Sequence, residues 1–451
     1  MSLRLIFISL LLSLSLCYYY DDNSIDRGFT LTNFTFGSCF YGRLSKNLTI
    51  FNSIQKHHSN LWIWLGDAAY VDEPNLVQYY RSTFPNNWTR VEYLFNKSKS
   101  NEYYQQMAKN TPVIGVWDDH DYGINDGNGN YADKDIIKKY YLDFLDVPAN
   151  NHRRQPNKGI YSTYSFGDGY KTVRIILLDV RYSKSGYMLN FNQDMLGEEQ
   201  WKWLEDVLSS SNETLTFIAS GTQILPFNRI VTEAWYQKSR LRLFNLISKT
   251  KRNGVILLSG DVHFGQILKT FCVMSKVGYD LYELTSSGLS HYLNVSYYID
   301  NILPNNYNLG KSYSGYNFGE VKIDWGNSIE ETKVSLGIFD IDDNKQIEHV
   351  IEYKDLVYNK ERINEEENCD RRINKRFKNA MEYIDYYCAN KSELWIGLIY
   401  LALLILVCHL LSNSVKTAAM FIGFVLLVFV VVASYFQAKD RKHHEALFNS
   451  I

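Results

Sequence analysis

The chain has 451 residues, 46% hydrophobic and 21% charged, the proportions of a folded protein rather than a disordered tail. Forty-seven basic residues against forty-nine acidic ones leave a formal net charge of −2, which argues against a nucleic-acid scaffold held by general electrostatics. Only seven prolines exclude a long proline-rich linker.

Residues 1–17 carry one positive charge, Arg4, followed by an apolar run over 5–16, with Ser15 and Cys17 small enough for a signal-peptidase site. That pattern predicts a secretory signal cut before Tyr18. The stretch 18–356 then alternates short apolar runs with helical periodicity. Runs at 34–36, 61–65, 113–117, 173–178, 216–219 and 255–258 are almost continuously apolar, as expected of strands covered on both faces. Helical patterns fall at 133–144, 197–208 and 234–247, and strand signals return at 320–325, 333–338 and 346–353. The alternation implies an α/β layered domain, read as two packed sheets flanked by helices.

Residues 357–393 form a charged juxtamembrane segment, with Glu365, Glu366 and Glu367 followed by Arg371, Arg372, Lys375, Arg376 and Lys378. Two apolar stretches follow, 394–411 and 418–436, each near the ~20 residues that cross ~30 Å of hydrocarbon as a helix. They predict a transmembrane hairpin over 394–436 and a tail over 437–451. A cleaved signal and a full hairpin would put domain and tail on one side, whereas Lys439, Arg441 and Lys442 favour a cytosolic tail. The number of crossings stays open. Sequons at Asn33, Asn47, Asn87, Asn96, Asn212, Asn294 and Asn390 give weak support to a glycosylated product of the secretory route. Cys369 and Cys388 read equally well as a disulfide and as two free thiols.

The chemistry sits where strands end. Four runs finish in reactive sequences: Gly37, Ser38 and Cys39; Gly66, Asp67 and Tyr70; Trp117, Asp118, Asp119, His120 and Asp121, with Asn125 soon after; and Gly260, Asp261 and His263. In open α/β sheets such endings meet at one edge, and acids crowded there repel one another unless cations neutralise them. A thiolate from Cys39, a phenolate from Tyr70 and the carboxylate of Asp67 suit a ferric ion. Asp119, Asn125, Asp261 and His263 suit Ca²⁺, Mn²⁺ or another divalent ion, with Asp67 as a bridge. Two such ions clamp an in-line displacement at phosphorus and make hydroxide available near neutral pH. His120 is the candidate to bind the phosphoryl oxygen or protonate the leaving group. Asp118 reads as a residue that orients a ligand, Asp121 as a ligand or a loop cap, and His291 as either cleft lining or surface. Arg181 reads as half of a structural ion pair or as a phosphate contact. Gln223 reaches the site or caps a turn.

Taken in order, the motifs GSC, LGDxxY, WDDHD, LLDVR, GEEQWKWLEDVL, SGDVH and YELTSSGLSH resemble the PhoD-like (alkaline phosphatase D type) branch of the calcineurin-like metallophosphoesterases. The resemblance runs from Gly37 to about His291. It implies a four-layer αββα sandwich, a mixed Fe³⁺ and Ca²⁺ centre (Mn²⁺, Zn²⁺ or Mg²⁺ as alternatives), and hydrolysis of phosphate mono- or diesters. It further implies Cys39, Asp67 and Tyr70 on the iron side, with Asp119, Asn125, Asp261 and His263 as the remaining ligands. The combined expectation is a membrane-anchored phosphatase or phosphodiesterase, its catalytic domain lumenal or extracellular, at the plasma membrane or an endomembrane. An inactive binding protein on the same fold and a phospholipid head-group hydrolase are the alternatives.

Overall fold

A computed structural model describes residues 22, 25, 27–42, 49–72, 88–186, 193–226, 233–270, 277–294 and 308–361. All of them lie in one compact unit, Met1–Ala389. The expected signal, the juxtamembrane segment from 362, the hairpin over 394–436, the tail, and Cys369 and Cys388 lie outside the described residues. Among the described residues no helix is long and apolar enough to cross a membrane.

The described residues form a mixed α/β sandwich of two six-stranded sheets. The first sheet runs β12-β11-β10-β1-β2-β3. Its members are β1 (Asn33–Gly37), β2 (Trp62–Leu65), β3 (Val113–Val116), β10 (Asn317–Asp324), β11 (Lys333–Asp340) and β12 (Lys345–Glu352). The second runs β4-β5-β6-β7-β9-β8. It holds β4 (Ser162–Phe166), β5 (Val173–Leu178), β6 (Leu215–Ser220), β7 (Val255–Ser259), β8 (Gly265–Lys269) and β9 (Tyr282–Ser286). The central strands β1-β2-β3 and β5-β6-β7-β9 are parallel, whereas β10, β11 and β12, and the edges β4 and β8, pair antiparallel.

Register explains the burial of both faces. Thr35 pairs with Trp62 and Phe36 with Ile63, so the Trp62 and Trp64 rings share one face while Phe34 and Phe36 share the other. On the outer face Phe51, from helix α1 (Ile50–Lys56), sits 5.7 Å from Trp62 and 6.0 Å from Trp64, ring centre to ring centre. On the inner face Phe34 meets Phe217 of β6 edge-on at 5.0 Å, so these rings join the two sheets. The fully buried side chains at this seam each contribute about 1.5–3 kcal/mol.

The remaining helices follow from their apolar stripes and termini. They are α2 (Trp88–Lys99), α3 (Glu102–Ala108), α4 (Asp119–Tyr122), α5 (Lys134–Phe144), α6 (Gly197–Ser210) and α7 (Gln237–Thr250). Helix α6 carries Glu198 and Glu199 in its first turn, where the helix dipole favours negative charge. It buries Trp201, Leu204 and Leu208 on one stripe. Gln200 of this helix accepts the Asp179 N–H at 2.9 Å and donates back to its carbonyl at 2.7 Å, docking α6 at the end of β5.

Three strands, β4, β8 and β9, are absent from the sequence expectation because their short runs (STYSF, GQILK, YELTS) mix polar with apolar residues. The first sequon is also folded in: Asn33 donates its Nδ2 to the His57 carbonyl at 2.8 Å.

Candidate metal centre

The reactive strand endings do meet, but across two sheets rather than along one. β1, β2 and β3 of the first sheet deliver Cys39, Asp67 and Asp118–Asp121, and β7 of the second delivers Asp261 and His263. Close backbone approach at two glycines makes this possible. Gly66 has φ +85°, and a Cβ there would stand 2.3 Å from the Cβ of Asp118. At Gly260 a Cβ would stand 2.4 Å from the Leu65 carbonyl, so β7 could not close against β2 with any larger residue.

Cys39, Asp67, Asp261 and His263 all adopt left-handed backbone angles, with φ of 63°, 51°, 75° and 60°. Non-glycine residues rarely hold this conformation, and it clusters where surrounding structure fixes functional side chains. Cys39, Asp67 and Asp261 each stand two residues past the end of a strand, and His263 lies in the short turn between β7 and β8, so the chain turns sharply at each of them.

The donors converge on Asp67. Its Oδ2 lies 3.4 Å from the Cys39 Sγ and 3.4 Å from the Tyr70 hydroxyl, and its Oδ1 accepts the His120 N–H at 3.3 Å. Three sets of acidic or imidazole groups bring ligand atoms within 4.8 Å of one another: Asp67, Asp119 and His120; Asp118, Asp119 and Asp261; and Asp119, Asp126 and Glu233. His263 donates its main-chain N–H to the Ser287 hydroxyl at 2.9 Å, while its buried ring Nδ1 has no hydrogen-bond partner among the described residues.

Electrostatics show that the donors are ill at ease alone. Burial, then the charge of Asp67, pushes the Cys39 thiol well up; burial, then Cys39 and Asp67, does the same to Tyr70. Burial and neighbouring aspartates hold Asp67 and Asp261 well above the usual carboxylate range. Burial lifts Asp121 to about 8. Burial also lifts Asp118 to about 6, with Arg181 opposing the rise. Asp119 goes the other way, because His120 and Arg181 outweigh its burial. His120 is held well above its ordinary value against burial by Asp119, Asp72 and Asp67. Burial and the nearby imidazoles depress His263 to about 4 and His291 to about 3, so both stay neutral near pH 7. Neutral imidazole nitrogen, thiol, phenol and crowded carboxylates are together the donor set that cations ionise and stabilise, and they fit a metal pair.

The supporting residues are placed as follows. His120 Nδ1 lies 2.9 and 2.8 Å from the two carboxylate oxygens of Asp72, and its ring stacks on Tyr70 at 4.0 Å. His291 lines the junction: Nε2 is 3.0 Å from the Tyr70 hydroxyl and its ring 4.5 Å from that of His263. Asp121 is a cap, accepting from Ala69 N at 2.8 Å and Asp118 N at 3.3 Å. Asp118 receives Arg181 Nε at 2.5 Å. Arg181 is itself fully buried and also reaches Glu233, so its guanidinium is committed to protein partners. Gln223 turns into the core towards Gln266 and Thr285.

Of the expected ligands Asn125 is exposed, and its neighbour Asp126 carries a carboxylate that approaches Asp119 and Glu233. In this glycine-rich loop Asp126 takes φ +54° and donates its N–H to Asp119 Oδ2 at 2.7 Å. Asp72, Asp126, Glu233 and Ser287 are participants that motif reading passes over. Asp72 and Asp126 stand beside recognised motifs, whereas nothing local to Glu233 marks it.

Comparison with known proteins agrees with the fold. The family model described as PhoD-like phosphatase matches residues 34–328. "Alkaline phosphatase D" of Bacillus subtilis (strain 168) is 22% identical over 253 residues, which is 48% of this chain. The match spans only 43% of that relative's length. A solved structure described as "Structure of PhoD" shares the fold at a TM-score of 0.56 and 14% identity, covering 82% of this chain and 78% of its own. A Plasmodium structure described as GAP50, the anchor in the inner membrane complex, aligns at a TM-score of 0.43 and 12% identity, over 75% of this chain and 95% of its own.

Proposed function

The chain belongs to the PhoD-like phosphatase family, and on that premise we propose that it hydrolyses phosphate esters at a two-metal centre. The carrying observation is the convergence of the Cys39 thiol and the Tyr70 phenol on one oxygen of Asp67, with Asp119 and Asp261 gathered beside it and His263 reached through the His291 ring that bonds Tyr70. Cys39, Asp67 and Tyr70 would hold a ferric ion, and Asp67, Asp119, Asp261 and His263 a divalent ion, calcium first among the choices. When bound, such a pair would neutralise the acids, polarise the phosphoryl group and acidify water for attack at phosphorus.

The chain's own residues supply the rest. Asp72 holds His120 by Nδ1, leaving Nε2 as the nitrogen that carries a proton towards a leaving oxygen. The Tyr70 ring fixes the plane of that imidazole. His291 orients the Tyr70 hydroxyl, and the Ser290 hydroxyl at 3.1 Å from Nδ1 orients His291 in turn. Arg181 and Asp118 brace the strand end that presents Asp119.

Membrane attachment is part of the same proposal. It is supported by the apolar runs at 394–411 and 418–436, and the run at 5–16 supports a lumenal or extracellular catalytic unit. Alkaline extraction of membranes tests the attachment, and release of the chain into the soluble fraction would refute it. Activity is tested on the full chain with p-nitrophenyl phosphate and bis(p-nitrophenyl) phosphate. Turnover of either that disappears in Asp67→Ala and His263→Ala supports the assignment; turnover that survives both places the chemistry elsewhere.

A further inference from the structure

The third acidic set looks at first like room for another cation. Asp119, Asp126 and Glu233 each bring an oxygen to within 4.8 Å of the others. Both oxygens of Glu233, however, already face cations of the chain itself. Arg181 Nη2 lies 2.8 Å from Oε2, and Lys184 Nζ bonds Oε1. The Arg181 and Lys184 side chains are both 0% exposed. Arg181 also bonds Asp118 through Nε at 2.5 Å and Thr222 through Nη2 at 3.1 Å, so one guanidinium spans Asp118 and Glu233. A desolvated ammonium is stable only among anions, and a divalent ion entering beside it would meet uncompensated repulsion.

We infer that Lys184 is the resident cation of the Asp119, Asp126 and Glu233 set, that no metal is held there, and that Glu233 is a positioning residue keeping Arg181 against Asp118. The inference rests on the metal-centre reading above. It separates the acids proposed to take metal, Asp67, Asp119 and Asp261, from a set whose charge the chain neutralises by itself, although both share Asp119.

The test is equilibrium dialysis of the full chain against Mn²⁺, with bound manganese counted by elemental analysis. Lys184→Ala should bind one more manganese per chain than the wild type. The double variant Lys184→Met, Glu233→Gln replaces the pair with neutral groups of similar shape and should keep the wild-type count. That second variant carries the test if the single one fails to fold. A count in Lys184→Ala no higher than in the wild type overturns the inference, as does the loss of one manganese in the double variant, the result expected if Glu233 were a ligand. A wild type that holds no metal of any kind, retained or taken up, would overturn the metal-centre reading along with it.

Discussion

Asp72 presents both carboxylate oxygens to one ring nitrogen of His120, Nδ1, at 2.9 and 2.8 Å. A carboxylate in that position fixes the imidazole's orientation and decides which nitrogen is free to act. Asp72→Asn should therefore lower kcat about 10- to 100-fold. His120→Asn should lower it about 10²- to 10⁴-fold. Because Asp72 acts through His120, the double variant should be no slower than His120→Asn alone. Steady-state rates of the three variants form the cycle, and additive losses would show that Asp72 works independently.

Arg181 is the buried tie between Asp118, Thr222 and Glu233. Arg181→Met leaves the buried Asp118 carboxylate without its cation and Glu233 with Lys184 alone. It should cost about 3–5 kcal/mol in urea unfolding, since removing one partner of a buried pair strands the others. A loss below about 1 kcal/mol would place the guanidinium in solvent-like surroundings.

Tyr70 offers a spectroscopic test of the iron side. A phenolate bound to ferric iron absorbs visible light, whereas a phenol held at 3.4 Å from a carboxylate does not. The iron-loaded protein should be coloured, and Tyr70→Phe should be colourless with its iron content retained in part by Cys39 and Asp67. Colour persisting in Tyr70→Phe would assign the absorbing ligand elsewhere.

His57, remote from the metal centre, makes stability depend on pH. Its ring nitrogens face Glu320 at 2.6 Å and Asp343 at 2.7 Å, and a neutral imidazole could donate to only one of them. Burial lowers its proton affinity, but the hydrogen bonds and charges of Glu320 and Asp343 outweigh that and raise its pKa above the ordinary 6.5. Lys56 at 3.8 Å from Asp343 and Lys322 at 3.2 Å from Glu320 are the cations facing the same acids. With the folded value raised, the stabilisation is complete below the unfolded value and is lost as pH rises through the folded one. The Tm advantage of wild type over His57→Gln should shrink from about pH 6 to about pH 9. An advantage that grows over that interval would reverse the sign of the linkage.

Legibility in the sequence followed burial. Strands β2 (WIWL), β5 (VRIILL) and β7 (VILLS) announce themselves because both faces are covered. Strand β9 (YELTS) does not, since its fully buried Glu283 looks like a surface residue until its carboxylate is seen accepting the Ile224 and Leu225 N–H groups. The site divides in the same way. Asp67, Asp119 and Asp261 are readable as acids at strand ends. The approach of Asp126 to Asp119 is not, because glycines free that loop's backbone. Glu233 is set by Arg181 and Lys184, contacts that no local pattern encodes.

The central claim is that Cys39, Asp67, Tyr70, Asp119, Asp261 and His263 surround a shared pair of cations. Elemental analysis of the full chain beside Asp67→Ala tests it most directly. The wild type should retain a pair of metal ions with iron among them, and Asp67→Ala should lose both, since that carboxylate touches each half of the donor set. Metal content undiminished in a folded Asp67→Ala, or a wild type that binds no metal, would contradict the account.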